Sequence, residues 1–294
     1  MNHPEILLLR HRIELADSLA KHPEWAQCLG FVPTMGALHQ GHLALAERAA
    51  RENKVVVVSI FVNPTQFNNP QDLALYPHTL DQDIKLLATL LPLGTSIWVY
   101  APNAEDLYDQ EVVARSFDFQ GLDTVFEGAD RPGHFNGVGT VVSLLWKAVP
   151  AQRVYFGEKD YQQLCVVKAL KRMENHSLEI IPCPIVREPN GLAMSSRNER
   201  LTAAQRQRAA WIYQTLQEVA QQGSASAPNR LSPDELRNLV AKKALEAPDF
   251  EIAYFDIVHE GGVNRVTQWS AGARYRALIA VAFHGVRLID NSAL

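Results

Sequence analysis

His39 and His42 stand three residues apart with Gly41 between them, and each can donate a ring N–H to a phosphoryl oxygen. They close the stretch Pro33-Thr34-Met35-Gly36-Ala37-Leu38-His39-Gln40-Gly41-His42, which holds two glycines and no carboxylate. Glycine lets backbone come close to a ligand. A helix starting here would add unpaired N–H groups and roughly half a positive charge, which attract phosphate. The chemistry these groups suit is the holding of a nucleotide triphosphate. Neither the Gly-Lys-Ser/Thr of a Walker loop nor the Gly-x-Gly-x-x-Gly of a dinucleotide turn is present in this stretch.

The flanking pattern supplies the elements that would position the histidines. The apolar run 29–32 predicts a buried strand whose pairing Pro33 stops, and Leu43, Leu45, Ala46, Ala49 and Ala50 predict a helix from about His42. Residues 55–62, nearly all β-branched, suit a parallel strand buried on both faces. That strand ends in Asn63-Pro64-Thr65-Gln66, which puts polar side chains at a carboxyl end, where open α/β sheets bind ligands. Turn chemistry accounts well for Asn63 and poorly for Gln66.

Elsewhere the pattern alternates. A first helix is expected over 6–21. Thr79-Leu80-Asp81-Gln82 reads as a capping box opening a helix, with Asp81 and Asp83 as first-turn carboxylates. A short strand over 97–100, a loop over 103–108, a functional polar loop over 127–139 and a helix over 141–149 follow. The strand 154–156 leads into Gly157-Glu158-Lys159-Asp160 and another helix, so Lys159 falls at a second strand-to-helix junction, where an ammonium can reach phosphate. Asp160 is placed to cap that helix. A strand over 178–186, interrupted by Pro182 and Pro184, completes an alternation that predicts a doubly wound parallel sheet.

The punctuation at 187–191 marks a domain boundary, giving 1–186 as a Rossmann-like domain and 187–294 as a smaller C-terminal α+β domain. Ser195, Ser196 and Arg197 open the second region; hydroxyls beside a guanidinium can grip phosphate. Residues 223–229 read as a linker, Ser232-Pro233-Asp234-Glu235 as a helix start, and 250–258, 277–283 and 286–289 as strands. With 294 residues, 47% hydrophobic and 20% charged, the chain has the composition of a soluble globular protein, and its charge of −4 argues against a nucleic-acid groove. No apolar run approaches a membrane span, and the N-terminus has no secretory pattern. Cys28, Cys165 and Cys183 sit singly in apolar runs, as buried thiols of a reducing compartment do, so a cytoplasmic location is expected.

The His-x-Gly-His stretch is similar to the signature of the nucleotidyltransferase superfamily. With Phe61-Val-Asn-Pro-Thr-Gln-Phe67, Phe156-Gly-Glu-Lys-Asp-Tyr-Gln-Gln163, Met194-Ser-Ser-Arg-Asn198 and the glycine-rich loop 131–138, the chain resembles the pantoate–β-alanine ligase family over nearly its whole length. The resemblance implies that pantoate attacks the α-phosphate of Mg2+-bound ATP, and that β-alanine then attacks the pantoyl adenylate, releasing pantothenate and AMP. It implies His42, His39, Lys159 and Arg197 as catalytic residues. It places ATP on Met35, Gly36, Ala37, Leu38, His39, Gln40, Gly41, His42, Gly157, Glu158, Lys159, Asp160, Val186, Met194, Ser195, Ser196 and Arg197. Pantoate goes to Gln66 and Gln163, β-alanine to Gln66, and a homodimer is expected. Two other readings stay open on the residues alone: a nucleotidylyltransferase acting on a phosphate ester, and a nucleotide-binding regulator without chemistry. Metal ligands stay unassigned.

Overall fold

The computed structural model describes residues 6–25, 27–109 and 111–294. Those within Met1–Glu158 and Val166–Pro184 cluster into one compact unit, and those within Lys159–Cys165 and Ile185–Leu294 into a second. In chain order the first strands and helices are β1 (Ile6–Leu9), α1 (Arg12–Ala20), β2 (Leu29–Thr34), α2 (Gln40–Glu52), β3 (Val55–Ile60), α3 (Pro70–Ala74), α4 (Leu80–Ala88), β4 (Ser96–Tyr100) and α5 (Ala104–Tyr108). Then come α6 (Glu127–Asp130), α7 (His134–Ala148), β5 (Arg153–Gly157), α8 (Tyr161–Met173) and β6 (Glu179–Cys183). The remainder is α9 (Ala203–Ala209), α10 (Trp211–Gly223), α11 (Pro233–Leu245), β7 (Phe250–His259), β8 (Tyr275–Phe283) and β9 (Val286–Ala293).

The first unit is built on a six-stranded sheet in the order β1-β4-β3-β2-β5-β6, every pairing parallel. Its β-branched strands are covered by helices. Val56 and Val58 of β3 join Leu45, Ala46, Ala49 and Leu87 of α2 and α4 in one core cluster. Val55 and Val57 alternate to the other face and are equally buried. The chain steps β2→β3→β4 one way across the sheet and β2, β5, β6 the other, so its topological switch point lies between β2 and β5. Ligands of open α/β sheets bind at the carboxyl ends there.

Several local expectations are corrected. Residues 6–9 form the edge strand β1, paired with Ile97–Tyr100, not the start of a helix; four consecutive aliphatic residues satisfy a strand as well as one helical turn. Pro33 ends pairing on one side only: β2 meets β5 at Gly30 and Phe31 but follows β3 through Thr34. The Leu29 carbonyl accepts from Gln152 on the β5 side and the Thr34 carbonyl from Phe61 on the β3 side. Backbone groups alternate sides along a strand, so Pro33's missing N–H falls on the β5 side, where pairing has already stopped. The expected loop 103–108 contains α5, capped by the Asn103 side chain. Much of the expected polar loop 127–139 is α6 and the first turns of α7, whose Gly137 and Gly139 serve close packing. Thr79 does precede α4, but its hydroxyl makes no cap bond. Cys165 and Cys183 are buried, whereas Cys28 is only partly so.

The second unit has a three-stranded antiparallel sheet, β7-β8-β9. Its central strand β8 is buried almost throughout and packs Ala277, Ile279 and Val281 with Ile212, Leu216 and Val219 of α10 and Leu236 and Val240 of α11. Ser232 and Glu235 form the capping box expected of α11, and Thr202 and Gln205 do the same for α9.

Candidate active site

At the switch point, β2 runs out at Thr34 and α2 begins at Gln40. The turn between them passes through Gly36 (φ 79°) and Ala37 (φ 50°), two consecutive left-handed residues. His39 is the N-cap of α2, and the cap is built from both histidines. The Gly41 N–H donates to His39 Nδ1 at 3.0 Å, and the His39 N–H donates to His42 Nδ1 at 3.4 Å. The two rings lie 4.2 Å apart. A ring nitrogen that accepts carries no proton, so both imidazoles are neutral with the proton on Nε2. Helix capping thereby sets the tautomer in which His39 and His42 each offer one Nε2–H donor.

At the end of β3, Asn63 is fully buried (0% exposed). Its Oδ1 accepts from the Tyr108 hydroxyl at 2.6 Å and the Thr65 hydroxyl at 3.1 Å. Its amide nitrogen donates to Gln66 Oε1 at 3.2 Å and to the Gly137 carbonyl at 3.1 Å. Burial pushes the Tyr108 phenol up, so it keeps its proton and donates. Gln66 is left with its NH2 free to point elsewhere, and that group lies 2.8 Å from Met35 Sδ. The motifs 33–42 and 61–67 therefore meet at the Met35–Gln66 contact.

The main chain at Gln66 is fixed as well. Its carbonyl lies 2.8 Å from His134 Nδ1, while His134 Nε2 lies 3.1 Å from Arg131 Nη1. A guanidinium only donates, so Nε2 accepts and Nδ1–H donates to Gln66. Beside this network a cavity of about 250 Å³ is lined by Thr65, Asn68, Arg115, His134 and Asn136 among others. Tyr108, Asn63 and His134 were not marked as site residues by the sequence. Clues existed for Asn63, in its position at a strand's end, and for His134, in the polar loop 127–139, but none for Tyr108.

In the second unit, the Lys159 ammonium lies 3.5 Å from Asp160 Oδ1. The Lys159 carbonyl accepts from Asn291 Nδ2 at 3.0 Å, and Asn291 Oδ1 accepts from Arg276 at 2.6 Å. The Met194 N–H donates to the Val186 carbonyl at 3.0 Å, closing a small antiparallel bridge around Arg187 and Ala193. Ser195 caps the short turn Ser196–Arg200 by accepting from the Arg197 N–H at 3.3 Å. Asn198 is buried beneath, with its amide on Glu188 and the Ala193 carbonyl. Thus Met35–His42, Gln66, Gly157 and Glu158 belong to the first unit. Lys159, Asp160, Gln163, Val186 and Met194–Arg197 belong to the second.

A wholly parallel sheet whose switch point carries a turn capped by two histidines defines an α/β enzyme of the His-x-Gly-His nucleotidyltransferase class. Within it, the chain belongs to the pantoate–β-alanine ligase family, whose model, described as Pantoate-beta-alanine ligase, matches residues 8–293. The pantothenate synthetase of Flavobacterium psychrophilum is 46% identical over 90% of this chain and 92% of its own length. That of Christiangramia forsetii is 42% identical over 98% and 99%. The crystal structure of the Thermus thermophilus pantothenate synthetase superposes with a TM-score of 0.84 at 41% identity, covering 97% of this chain and 98% of that one. The Francisella tularensis ligase, described as complexed with beta-gamma ATP and beta-alanine, gives 0.74 at 34% identity over 98% and 97%.

Proposed function

We propose that the chain joins pantoate to β-alanine in an ATP-dependent reaction by way of pantoyl adenylate. A pantoate carboxylate oxygen attacks the α-phosphorus, the bond to the β-phosphate oxygen breaks, and pyrophosphate leaves. The β-alanine amine then attacks the acyl carbon, the bond to AMP breaks, and the amine's proton is lost as the amide forms. Of the three readings left open by the residues, family membership selects this one.

The first step gathers negative charge on the phosphoryl oxygens and the departing pyrophosphate, so it calls for fixed donors and cations more than for a protein nucleophile. His39 and His42 supply Nε2–H donors whose tautomer is already set by capping. Lys159 neutralises charge at the α-phosphate, and Ser195, Ser196 and Arg197 hold the β- and γ-phosphates. Gly157, Glu158, Asp160, Val186, Met194 and the backbone of 35–42 line the nucleotide. Gln66 and Gln163 bind pantoate, with Gln66 also serving β-alanine. The observation that carries this reading is the Gln66 amide, whose oxygen is engaged by Asn63 and whose NH2 lies against Met35 of the histidine loop. It presents donors, which an acid substrate needs, next to the nucleotide loop.

ATP would enter as its magnesium complex, the ion offsetting charge on the phosphates. We further assign the chain to a homodimer and to the cytoplasm, and take 187–294 as the C-terminal domain carrying the Ser-Ser-Arg segment. No helix among the described residues is long and apolar enough to cross a membrane.

The reaction is tested by following pyrophosphate and AMP with pantoate and Mg-ATP, with and without β-alanine. Pyrophosphate should appear with pantoate alone, while sustained AMP release should need both acids. AMP release that ignores β-alanine would remove the ligase assignment.

A further inference from the structure

We propose that Asp83, which lies in none of the motifs assigned to substrate, is a positioning residue that sets the shape of the histidine loop. The proposal rests on reading 33–42 as the ATP loop. Asp83 sits in the first turns of α4 and is 2% exposed. Its Oδ1 accepts from the Leu38 N–H at 2.8 Å and its Oδ2 from the Ala37 N–H at 3.1 Å. The Thr79 hydroxyl reaches both oxygens at 3.2 Å. The Thr79 hydroxyl is thus turned to Asp83 and does not cap the N–H groups of α4.

The carboxylate engages the loop where the backbone is least able to hold itself. Gly36 and Ala37 are both left-handed, and a Cβ-bearing residue such as Ala37 takes that conformation only when its surroundings over-determine it. The next residue after Leu38 is His39, the cap of α2. Fixing the Ala37 and Leu38 amides fixes the direction in which the chain enters the histidine cap. It also withdraws these two N–H groups from any phosphate, leaving the histidine Nε2–H groups and the helix start as donors. Contact is tight, since a Cβ on Gly36 would come within 3.1 Å of Asp83 Oδ2 and 2.9 Å of Ile60 Cγ2. A carboxylate is the only common side chain offering two acceptors and no donor to a pair of adjacent amides. In Asp83→Asn one of those amides would face an NH2.

Asp83→Asn is compared with wild type in three measurements: kcat/KM for ATP, pantoate binding by calorimetry without ATP, and the ring 15N spectrum of the histidines. The expected result is a fall in kcat/KM for ATP of about 10²-fold, as for ångström-scale misplacement of a catalytic group. Pantoate affinity should stay within about twofold of wild type, and the His39 and His42 nitrogens should lose their fixed Nε2–H pattern. Thr79→Ala, which leaves the loop amides their acceptors but removes a donor from Asp83, should act in the same direction by roughly 3–10-fold. A less stable Asp83→Asn protein with unchanged kcat/KM for ATP and an unchanged histidine spectrum would show that Asp83 only supports the fold. Should that variant not fold, an unchanged kcat/KM for ATP in Thr79→Ala overturns the proposal. A wild-type protein that makes no pyrophosphate from pantoate and ATP overturns the ATP reading itself, which is a separate failure.

Discussion

The Tyr108 hydroxyl donates to Asn63 Oδ1 at 2.6 Å, and this bond decides which way Gln66 faces. With its oxygen engaged by Tyr108 and Thr65, the Asn63 amide must turn its NH2 to Gln66 Oε1 and the Gly137 carbonyl. Gln66 in turn has only its own NH2 to offer a substrate. Tyr108→Phe should therefore loosen the amide orientation and raise the KM for pantoate by roughly 3–10-fold, the worth of one net hydrogen bond. The KM for ATP should not change. Steady-state kinetics with each substrate varied in turn measure both.

His42→Ala removes one fixed donor, and Lys159→Ala removes a cation. Each should lower kcat by about 10²–10³, the usual consequence of deleting one preorganised charge-stabilising group. Single-turnover pyrophosphate release isolates the step concerned. Near-wild-type rates in either variant would take that residue out of the mechanism.

Gly137 is glycine for want of room. A Cβ there would meet the Thr65 carbonyl and come within 2.7 Å of the Gln66 Cα, both backbone atoms that no rotamer change can move. Gly137→Ala should destabilise the first unit by about 1–3 kcal/mol in urea titration. It should also weaken pantoate binding, because the displaced segment carries Gln66.

Arg187 clamps the buried Asp290 with two bonds of 2.6 and 3.0 Å and stacks on Tyr213 at 3.8 Å. Burial pushes the Asp290 carboxyl up, and the guanidinium opposes this. Arg187→Met leaves the carboxyl buried without its cation, so its folded-state pKa rises further above the unfolded value of about 3.9. The loss of stability should be small near pH 4, where the group can stay protonated, and grow to about 3–5 kcal/mol as pH rises to neutrality. Urea titrations of wild type and variant across that range check the sign. A loss that did not depend on pH would point to the lost stacking on Tyr213.

What the sequence determined by itself follows from short-range rules. The valine run of β3 could only be a strand covered on both faces, and the alternation of such runs with helical spacing gave the parallel sheet. The His-x-Gly-His spacing placed both histidines at a helix start, and Gln66 stood out because turn chemistry did not account for it. Ambiguity fell on segments such as 6–9 and 104–108, where a few aliphatic or polar residues fit more than one local conformation. It fell also on 127–139, whose glycines and polar residues read as loop but form α6 and the start of α7. Tertiary structure alone decided how these groups are held. Asp83 lies 45 and 46 residues from the amides it binds, and Asn291 lies 132 residues from Lys159. No periodicity links such positions. Each looks in sequence like a cap or a surface polar residue, and only the burial of Asp83 and Asn291, which leaves their polar groups in need of partners, gives each its role.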